Sequence, residues 1–516
     1  MSRTNYSPAL AAVYLDDQSL KYLATNLHFD LWNTFIIKIH SIFKNLPIHI
    51  HISEKIEASI SEKIPKNANV KFHIGPISEE EFLQKIAILL PASKFKDPDW
   101  DEVCFLYFKG ISPLMDARLV EKSWDRHKKF FSQYSYSENL PEGIIPYILT
   151  REFLSTLPDK LPNDVHSFFL KNINQYDVDI FYVPPDLRQY RFDFRVNDRR
   201  NSLLIENLVK IKPDITYEEI MPSIQKFPSI YRLAPTYIEW EIYKGCELEC
   251  IFCPRNFIDT SNEPNSTSFK NIKFILDKLN SEIHTPYTIC LGGNGEPLLH
   301  PNLDEIIQAI LLSENVKELI IETALYKNVD SFTQTIESLD KTLKNKLTVI
   351  VNLTTLKSDT YRKLYGKDLH SKILSDIDHL KALLPNTSLH VQMIKMIEVG
   401  DEVESFFTHF EKKGINVILQ KYNRFAGKLP EKRVSDLTPI HREFCWHLNR
   451  DLVIDASGNI SICKQNQTES LGNILTEKFS EIWQKGQDYF AYSLLGEHSK
   501  IPAPCLNCDE WYTFNA

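Results

Sequence analysis

The sequence predicts an α/β protein in three parts: residues 1–228 as a separate α/β domain, residues 229–425 as a parallel sheet curled into a partial barrel, and residues 426–516 as a small cysteine-bearing domain. Three observations carry this prediction. Strand-like apolar runs recur six times between residues 237 and 421, separated by helical patterns, and parallel strands need such crossover connections. Apolar runs and helical patterns also alternate before residue 228, without any cluster of cysteines. Seven of the nine cysteines fall into two sets, Cys246, Cys250 and Cys253 in the middle and Cys445, Cys463, Cys505 and Cys508 in the tail. A length of 516 residues fits three domains at about 100–200 residues each.

Composition narrows the function classes. The chain is 43% hydrophobic and 25% charged, ordinary for a globular protein. No run approaches the about 18–20 apolar residues of a membrane helix, and residues 1–13 have too little apolar length for a signal peptide. A cytoplasmic protein without a membrane partner is expected. The net charge of −9 argues against a nucleic-acid partner, which would require clustered Lys and Arg facing the phosphates. In a reducing compartment nine cysteines point to metal or catalysis more than to disulfides. Cys104 and Cys290 sit in apolar runs and are expected to be buried, inert thiols.

In chain order, the front domain begins with apolar runs at 12–15, 48–52, 70–74 and 103–108 and a helical pattern at 30–44, which suggests strands crossing over through helices. The middle domain has its strands at 237–243, 287–291, 316–322, 347–353, 389–396 and 416–421. Ser268 and Asn302 mark helix starts, each standing before an apolar periodic run.

The chemistry begins after the first middle strand. Cys246, Cys250 and Cys253 are spaced by three and then two residues in a loop. A four-iron cubane held by only three cysteines keeps one iron open for another ligand. The plainer reading, structural zinc, requires four protein ligands; His284 and Cys290 lie about thirty residues on, too far to assume. After the second strand comes Gly292-Gly293-Asn294-Gly295-Glu296-Pro297, whose glycines permit positive φ and close backbone approach. It stands at the C-terminal end of its strand, where barrels gather their ligand sites.

Together the Cys-x3-Cys-x2-Cys loop and this glycine turn resemble the motifs of the radical S-adenosylmethionine (radical SAM) superfamily. The resemblance implies a partial (β/α)6 barrel, a [4Fe-4S] cluster on Cys246, Cys250 and Cys253, and S-adenosyl-L-methionine on its open iron. It implies that Gly292, Gly293, Asn294, Gly295, Glu296 and Pro297 hold the cofactor, with Glu296 and the loop backbone on its methionine ammonium group. Asn352 stands at the family's serine position and is expected near the ribose or methionine carboxylate; Gln392 and Lys395 are expected to face the adenosine or the substrate.

The tail, with Cys445, a Gly-x4-Cys hairpin ending at Cys463, a Leu471-Gly472-Asn473-Ile474 helix entry reaching Trp483, and Cys505-x2-Cys508, resembles the SPASM extension of that superfamily. Four cysteines, with Phe514 where a further one would fall, match the shortened single-cluster twitch form. That implies one auxiliary [4Fe-4S] cluster; Cys-x2-Cys is a zinc spacing too, so a four-cysteine zinc site is the alternative.

The front domain is similar to the sugar cytidylyltransferases of the spore-coat polysaccharide type at 110–120, 134–143 and 190–198. It departs from them at Ile111, where the family carries a metal-binding aspartate, and at Arg195, near the second. Its first glycine is Gly75, so it lacks the early glycine-rich loop that cradles phosphates. A nucleotidyltransferase-like but inactive domain with a recognition role is implied. The whole arrangement resembles the spiro-SPASM proteins.

The resemblance implies reductive cleavage of S-adenosylmethionine to a 5'-deoxyadenosyl radical, which abstracts hydrogen from a substrate. A peptide or protein side chain is the expected substrate, oxidatively modified, with a sugar or sugar conjugate as the alternative. An external electron donor such as flavodoxin or ferredoxin is implied. A further alternative is a non-catalytic iron–sulfur protein that carries electrons or senses redox state.

Overall fold

The computed structural model describes residues 6–60, 69–94, 102–256, 265–466 and 469–512, and the chain divides into two units, Met1–Lys226 and Phe227–Ala516.

In the first unit the apolar runs form β1 (Ala11–Val13), β2 (Ile48–Ile52), β3 (Val70–Ile74) and β4 (Cys104–Phe108), followed by β5 (Tyr134–Tyr136), β6 (Tyr147–Thr150) and β7 (Val178–Ile180). They make one sheet in the order β3-β2-β1-β4-β6-β5-β7. Pairings from β3 through β4 are parallel, and β6 runs antiparallel to both β4 and β5. Every residue of β2 and β4 is buried, as parallel strands covered on both faces require. One face packs an aromatic core in which Tyr134 stacks on Phe169 with ring centroids 3.8 Å apart. Glu79 is buried there, accepting hydrogen bonds from the Tyr107 hydroxyl and, at 3.0 Å, the Val165 amide. The two departures noted in the sequence meet in space: the Val196 amide donates to the Ile111 carbonyl at 2.9 Å. There the aliphatic stem of Arg195 lies over Gly110, and its guanidinium is paired with Asp193 at 2.7 Å.

The second unit contains the barrel. Its strands are β8 (Tyr237–Trp240), a short pair β9 (Tyr243–Lys244) and β10 (Asn265–Ser266), then β11 (Tyr287–Leu291), β12 (Val316–Thr323), β13 (Leu347–Asn352), β14 (Leu389–Lys395) and β15 (Asn416–Lys421). β8, β11, β12, β13, β14 and β15 lie side by side in that order, all parallel. Their bounds follow the apolar runs to within a few residues, and each connection carries at least one helix. Tyr237, Cys290, Ile320 and Ile350, with Ile418 against them, supply an apolar inner layer from five different strands. Cys290 is buried in that layer, and Cys104 is buried in the first unit. Ser268 caps its helix, accepting from the Asn271 amide at 3.3 Å. Asn302 does not: its side-chain amide donates to Glu305 at 2.7 Å, and no helix amide reaches its oxygen.

The tail adds to the same sheet. β16 (Asp451–Ile454) pairs parallel with β8, and β17 (Asn459–Ser461) and β18 (Ser470–Asn473) follow antiparallel. Gly458 turns the β16–β17 hairpin at φ +83°, a conformation that suits glycine. Among the described residues no helix is long and apolar enough to cross a membrane.

The tail is tied to the entrance of β8 by Arg232, which is only 5% exposed. Its guanidinium donates to the carbonyls of Leu448 at 2.8 Å and Trp483 at 2.7 Å, and lies 3.6 Å from the centre of the Trp483 ring. The Trp483 indole in turn donates to the Leu233 carbonyl at 2.6 Å. Charged donors and a desolvated ring stack each contribute on the order of 1–3 kcal/mol. Arg232→Ala is therefore expected to destabilise the second unit by about 2–4 kcal/mol, read as a lowered urea midpoint. Arg232→Lys recovers only part of this, because an ammonium cannot keep the planar fork and stack together.

Candidate active site

The three-cysteine loop follows β9 and, over residues 245–256, has no regular structure except the 3₁₀ turn Pro254–Asn256. Neighbours hold its shape. The Gly245 carbonyl accepts from the Glu296 amide at 2.9 Å, and the Glu249 and Ile251 amides donate to the carbonyls of Tyr365 and Leu364 at 3.1 and 3.0 Å. Arg255 reaches back to the carbonyls of Cys246 and Leu248, and the Glu247 amide donates to the Tyr326 hydroxyl at 2.9 Å. The thiols are brought together: burial raises the Cys250 pKa well above the ordinary thiol range, and the charges of Cys253 and Cys246 raise it further. Burial also raises Cys246, against which a hydrogen bond from Tyr326 works.

The glycine turn packs directly on this loop. A Cβ on Gly295 would lie 1.8 Å from the Tyr243 carbonyl oxygen, so on this side of the turn the close approach that glycine permits is made to the protein's own backbone. Gly293 adopts φ +93° and lies against Glu241, whose carboxylate accepts from the Asn294 amide at 2.8 Å. Burial pushes the Glu241 carboxyl up to about 7. Glu296 is also held by the protein around it. Its buried carboxylate accepts from the Thr323 hydroxyl at 2.6 Å and the amides of Ala324 at 2.9 Å and Leu298 at 3.2 Å, and burial lifts it to about 7. It fastens the turn to the end of β12, because a buried carboxylate needs donors that short loops at a strand end supply. Pro297 is buried at the start of the 3₁₀ turn Pro297–Leu299 and stands behind the site.

One cavity at the C-terminal ends of the strands is lined by all three thiols, by residues 292–296, and by Asn352 and Gln392. Lys395 does not line it. Asn352 and Gln392 bond to each other at 2.6 Å, and their amide nitrogens donate to the same oxygen of Glu322 at 3.2 and 3.1 Å. Glu322 was missed in the sequence reading, as were Glu239 and Lys464, which also line the cavity and stand 3.8 Å apart. A signal was present: Glu239 is two residues after Tyr237 and Glu322 two after Ile320, the period that returns a side chain to the inner face of a strand. Burial alone would lower the Lys464 pKa, but Glu239 and Glu322 outweigh it and raise it. Lys464 follows Cys463, so the tail reaches the cavity at this residue.

The tail cysteines form a second convergence. Every pair among Cys445, Cys463, Cys505 and Cys508 is close enough for one thiolate to oppose the other's ionisation. Burial is the larger cause, pushing Cys505 up to about 11 and Cys508 up to about 12. Among the described residues no three His, Cys, Asp or Glu side chains close on a single-ion position. A soft, all-thiol donor set suits an iron–sulfur cluster. On the segments that carry Cys445 and Cys463 are buried amides without a protein partner, both side-chain polar atoms of Asn449 and both of Gln465.

Residues 240–408 match the model of the radical SAM superfamily, and residues 445–509 match that of the SPASM iron–sulfur cluster-binding domain. An uncharacterized protein of Treponema pallidum (strain Nichols) is 26% identical over 358 residues, which span 67% of this chain and 96% of the relative. The crystal structure of BtrN in complex with AdoMet and 2-DOIA aligns at 20% identity over 54% of this chain and 93% of that one, with a TM-score of 0.37. A cytidylyltransferase from Leptospira borgpetersenii serovar Hardjo-bovis (strain JB197) aligns at 14% identity over 44% of this chain and 97% of that one, with a TM-score of 0.36. The two matched spans contain all seven grouped cysteines, and their domain types imply S-adenosylmethionine and iron–sulfur clusters as cofactors. The chain carries a radical SAM domain followed by an iron–sulfur cluster-binding SPASM domain.

Proposed function

We propose that the protein is an enzyme that cleaves S-adenosylmethionine reductively and removes a hydrogen atom from a peptide or protein side chain. The observation that carries this reading is the single cavity shared by Cys246, Cys250 and Cys253, the turn 292–296, Asn352 and Gln392. The three thiols would hold a [4Fe-4S] cluster with an open iron. When bound, that cluster supplies the electron that splits S-adenosylmethionine into methionine and a 5'-deoxyadenosyl radical.

The chain's own part is placement. The backbone of Gly292, Gly293, Asn294 and Gly295 would bind the methionine end, while Glu296 and Glu241 fix the turn that presents it. Asn352 and Gln392 would meet the nucleoside or the substrate with orientations set by Glu322. Holding a C–H bond in line with the reacting carbon is worth several orders of magnitude in rate. Cys445, Cys463, Cys505 and Cys508 would hold an auxiliary [4Fe-4S] cluster that supplies an electron acceptor, making the net modification oxidative. An external donor of the flavodoxin or ferredoxin kind would feed the loop cluster.

The polar floor made by Glu322, Asn352 and Gln392 favours a second reading of the substrate, a sugar or sugar conjugate whose hydroxyls these groups could bind. The first unit would serve recognition in either case: where the resembled transferases carry metal-binding aspartates it has Ile111 and an Arg195 already paired with Asp193.

The anaerobically reconstituted wild type is expected to release 5'-deoxyadenosine with dithionite and S-adenosylmethionine, and Cys250→Ala to reduce that release to the protein-free background. Release retained by the variant sinks the mechanism. Gly295→Ala forces the turn off the Tyr243 carbonyl and is expected to weaken S-adenosylmethionine binding or cleavage by about a hundredfold, the scale of a 1 Å misplacement, with iron content unchanged. Deuterated peptides and sugars, incubated with the reduced enzyme, separate the substrate readings: only the true class passes deuterium into 5'-deoxyadenosine.

A further inference from the structure

The tail site contains two polar side chains that the four thiolates do not account for. Asn449 is 0% exposed and Gln465 is 3% exposed, yet the amide nitrogen and oxygen of each lack any protein partner. Buried amides are rarely left this way, because each lost the hydrogen bonds water would have given it. Both are tethered to the cysteines. Asn449 lies on the short helix Trp446–Arg450, of which Cys445 is the N-cap, and the His447 and Leu448 amides of that helix bond to the Cys445 sulfur. Gln465 comes two residues after Cys463, and its backbone amide already bonds to the Cys463 sulfur. Elsewhere in the set the Glu510 amide donates to the Cys508 sulfur at 3.3 Å. Four backbone donors thus face sulfur, and two buried side-chain donors on the same segments have no protein acceptor.

We infer that the side-chain amides of Asn449 and Gln465 donate hydrogen bonds to the sulfur atoms of the iron–sulfur cluster held by the tail cysteines and thereby raise its reduction potential. The inference rests on the auxiliary-cluster reading. Physically, reduction adds negative charge that is spread over the cluster sulfurs, and N–H donors stabilise the reduced form more than the oxidised one. The two residues act through the cluster rather than on substrate; they are tuning residues. Neither is charged, so the effect differs from a lysine or arginine placed nearby: it is short-ranged and is lost when the donor is replaced by an apolar group of the same shape.

The test is an EPR-monitored redox titration of the full chain in a background lacking the three loop thiols (Cys246→Ala, Cys250→Ala, Cys253→Ala), so that only the tail cluster is read. Asn449→Leu and Gln465→Met keep size and remove the donors. Each is expected to retain about four irons per chain and to lower the reduced-to-oxidised ratio at a fixed poise by about tenfold, the scale of one hydrogen bond to a charged group, with the double variant shifted further. Gln465→Glu, which keeps shape and exchanges a donor for an acceptor, should shift the same way and guards against packing defects in the apolar variants. A full iron complement with an unmoved titration in all variants overturns the assignment and leaves the cluster reading intact. Zinc in place of iron in the background protein overturns the cluster reading and the assignment with it. Loss of iron in the apolar variants together with an unmoved titration in Gln465→Glu also overturns it.

Discussion

A loop with no ladder of its own keeps its shape only through what its neighbours lend it. The three-thiol loop is such a segment, and the loans are specific: the Glu296 amide to Gly245, the carbonyls of Leu364 and Tyr365 to Ile251 and Glu249, the Arg255 guanidinium to Cys246 and Leu248. The lenders come from the loop after β11, from the end of the helix Ser358–Tyr365 that follows β13, and from the loop itself. The barrel therefore does more than carry the site. Parallel strands deliver their C-terminal ends to one rim, and only on that rim can such distant segments reach one loop.

The same rim explains why carboxylates take on structural work. Glu241 and Glu296 are buried and held by backbone amides, one at each side of the glycine turn. Glu322 joins Asn352 and Gln392 into one hydrogen-bonded floor across three adjacent strands. Each carboxylate converts an otherwise soft strand end into a fixed position, which is the condition for aligning a reactive carbon with a single bond.

Much of this was legible in the sequence because it is local. All six barrel strands, the two cysteine sets and the glycine turn announce themselves through apolar periodicity or spacing within a few residues. What was not legible depends on partners far away in the chain. The glycine turn signals a close backbone approach, and only the packed structure shows that on one side of Gly295 the neighbour is the Tyr243 carbonyl. Nor could the sequence show that Thr323 and Ala324 donate to the oxygens of Glu296. Glu322 and Glu239 could have been read from the two-residue period of inward positions, whereas Lys464 could not, since nothing near it in sequence says that the tail reaches the cavity. Asn302 shows the limit of local rules too: a capping residue type stands before the helix, and Glu305 captures its side-chain amide instead.

The pairing of β16 with β8 also orders events during synthesis. Until the ribosome has passed Asp451, the first barrel strand has one open edge, with unpaired amides and carbonyls ready to accept any extended segment. That edge is thus covered only by a strand far along the chain from it, a connection of very high contact order that makes for slow closure. A nascent chain stalled or truncated before that point would expose both the open edge and the Arg232 guanidinium, whose acceptor and stacking partner Trp483 lies farther along the chain, so the newborn protein has a clear interval in which a chaperone has something to hold.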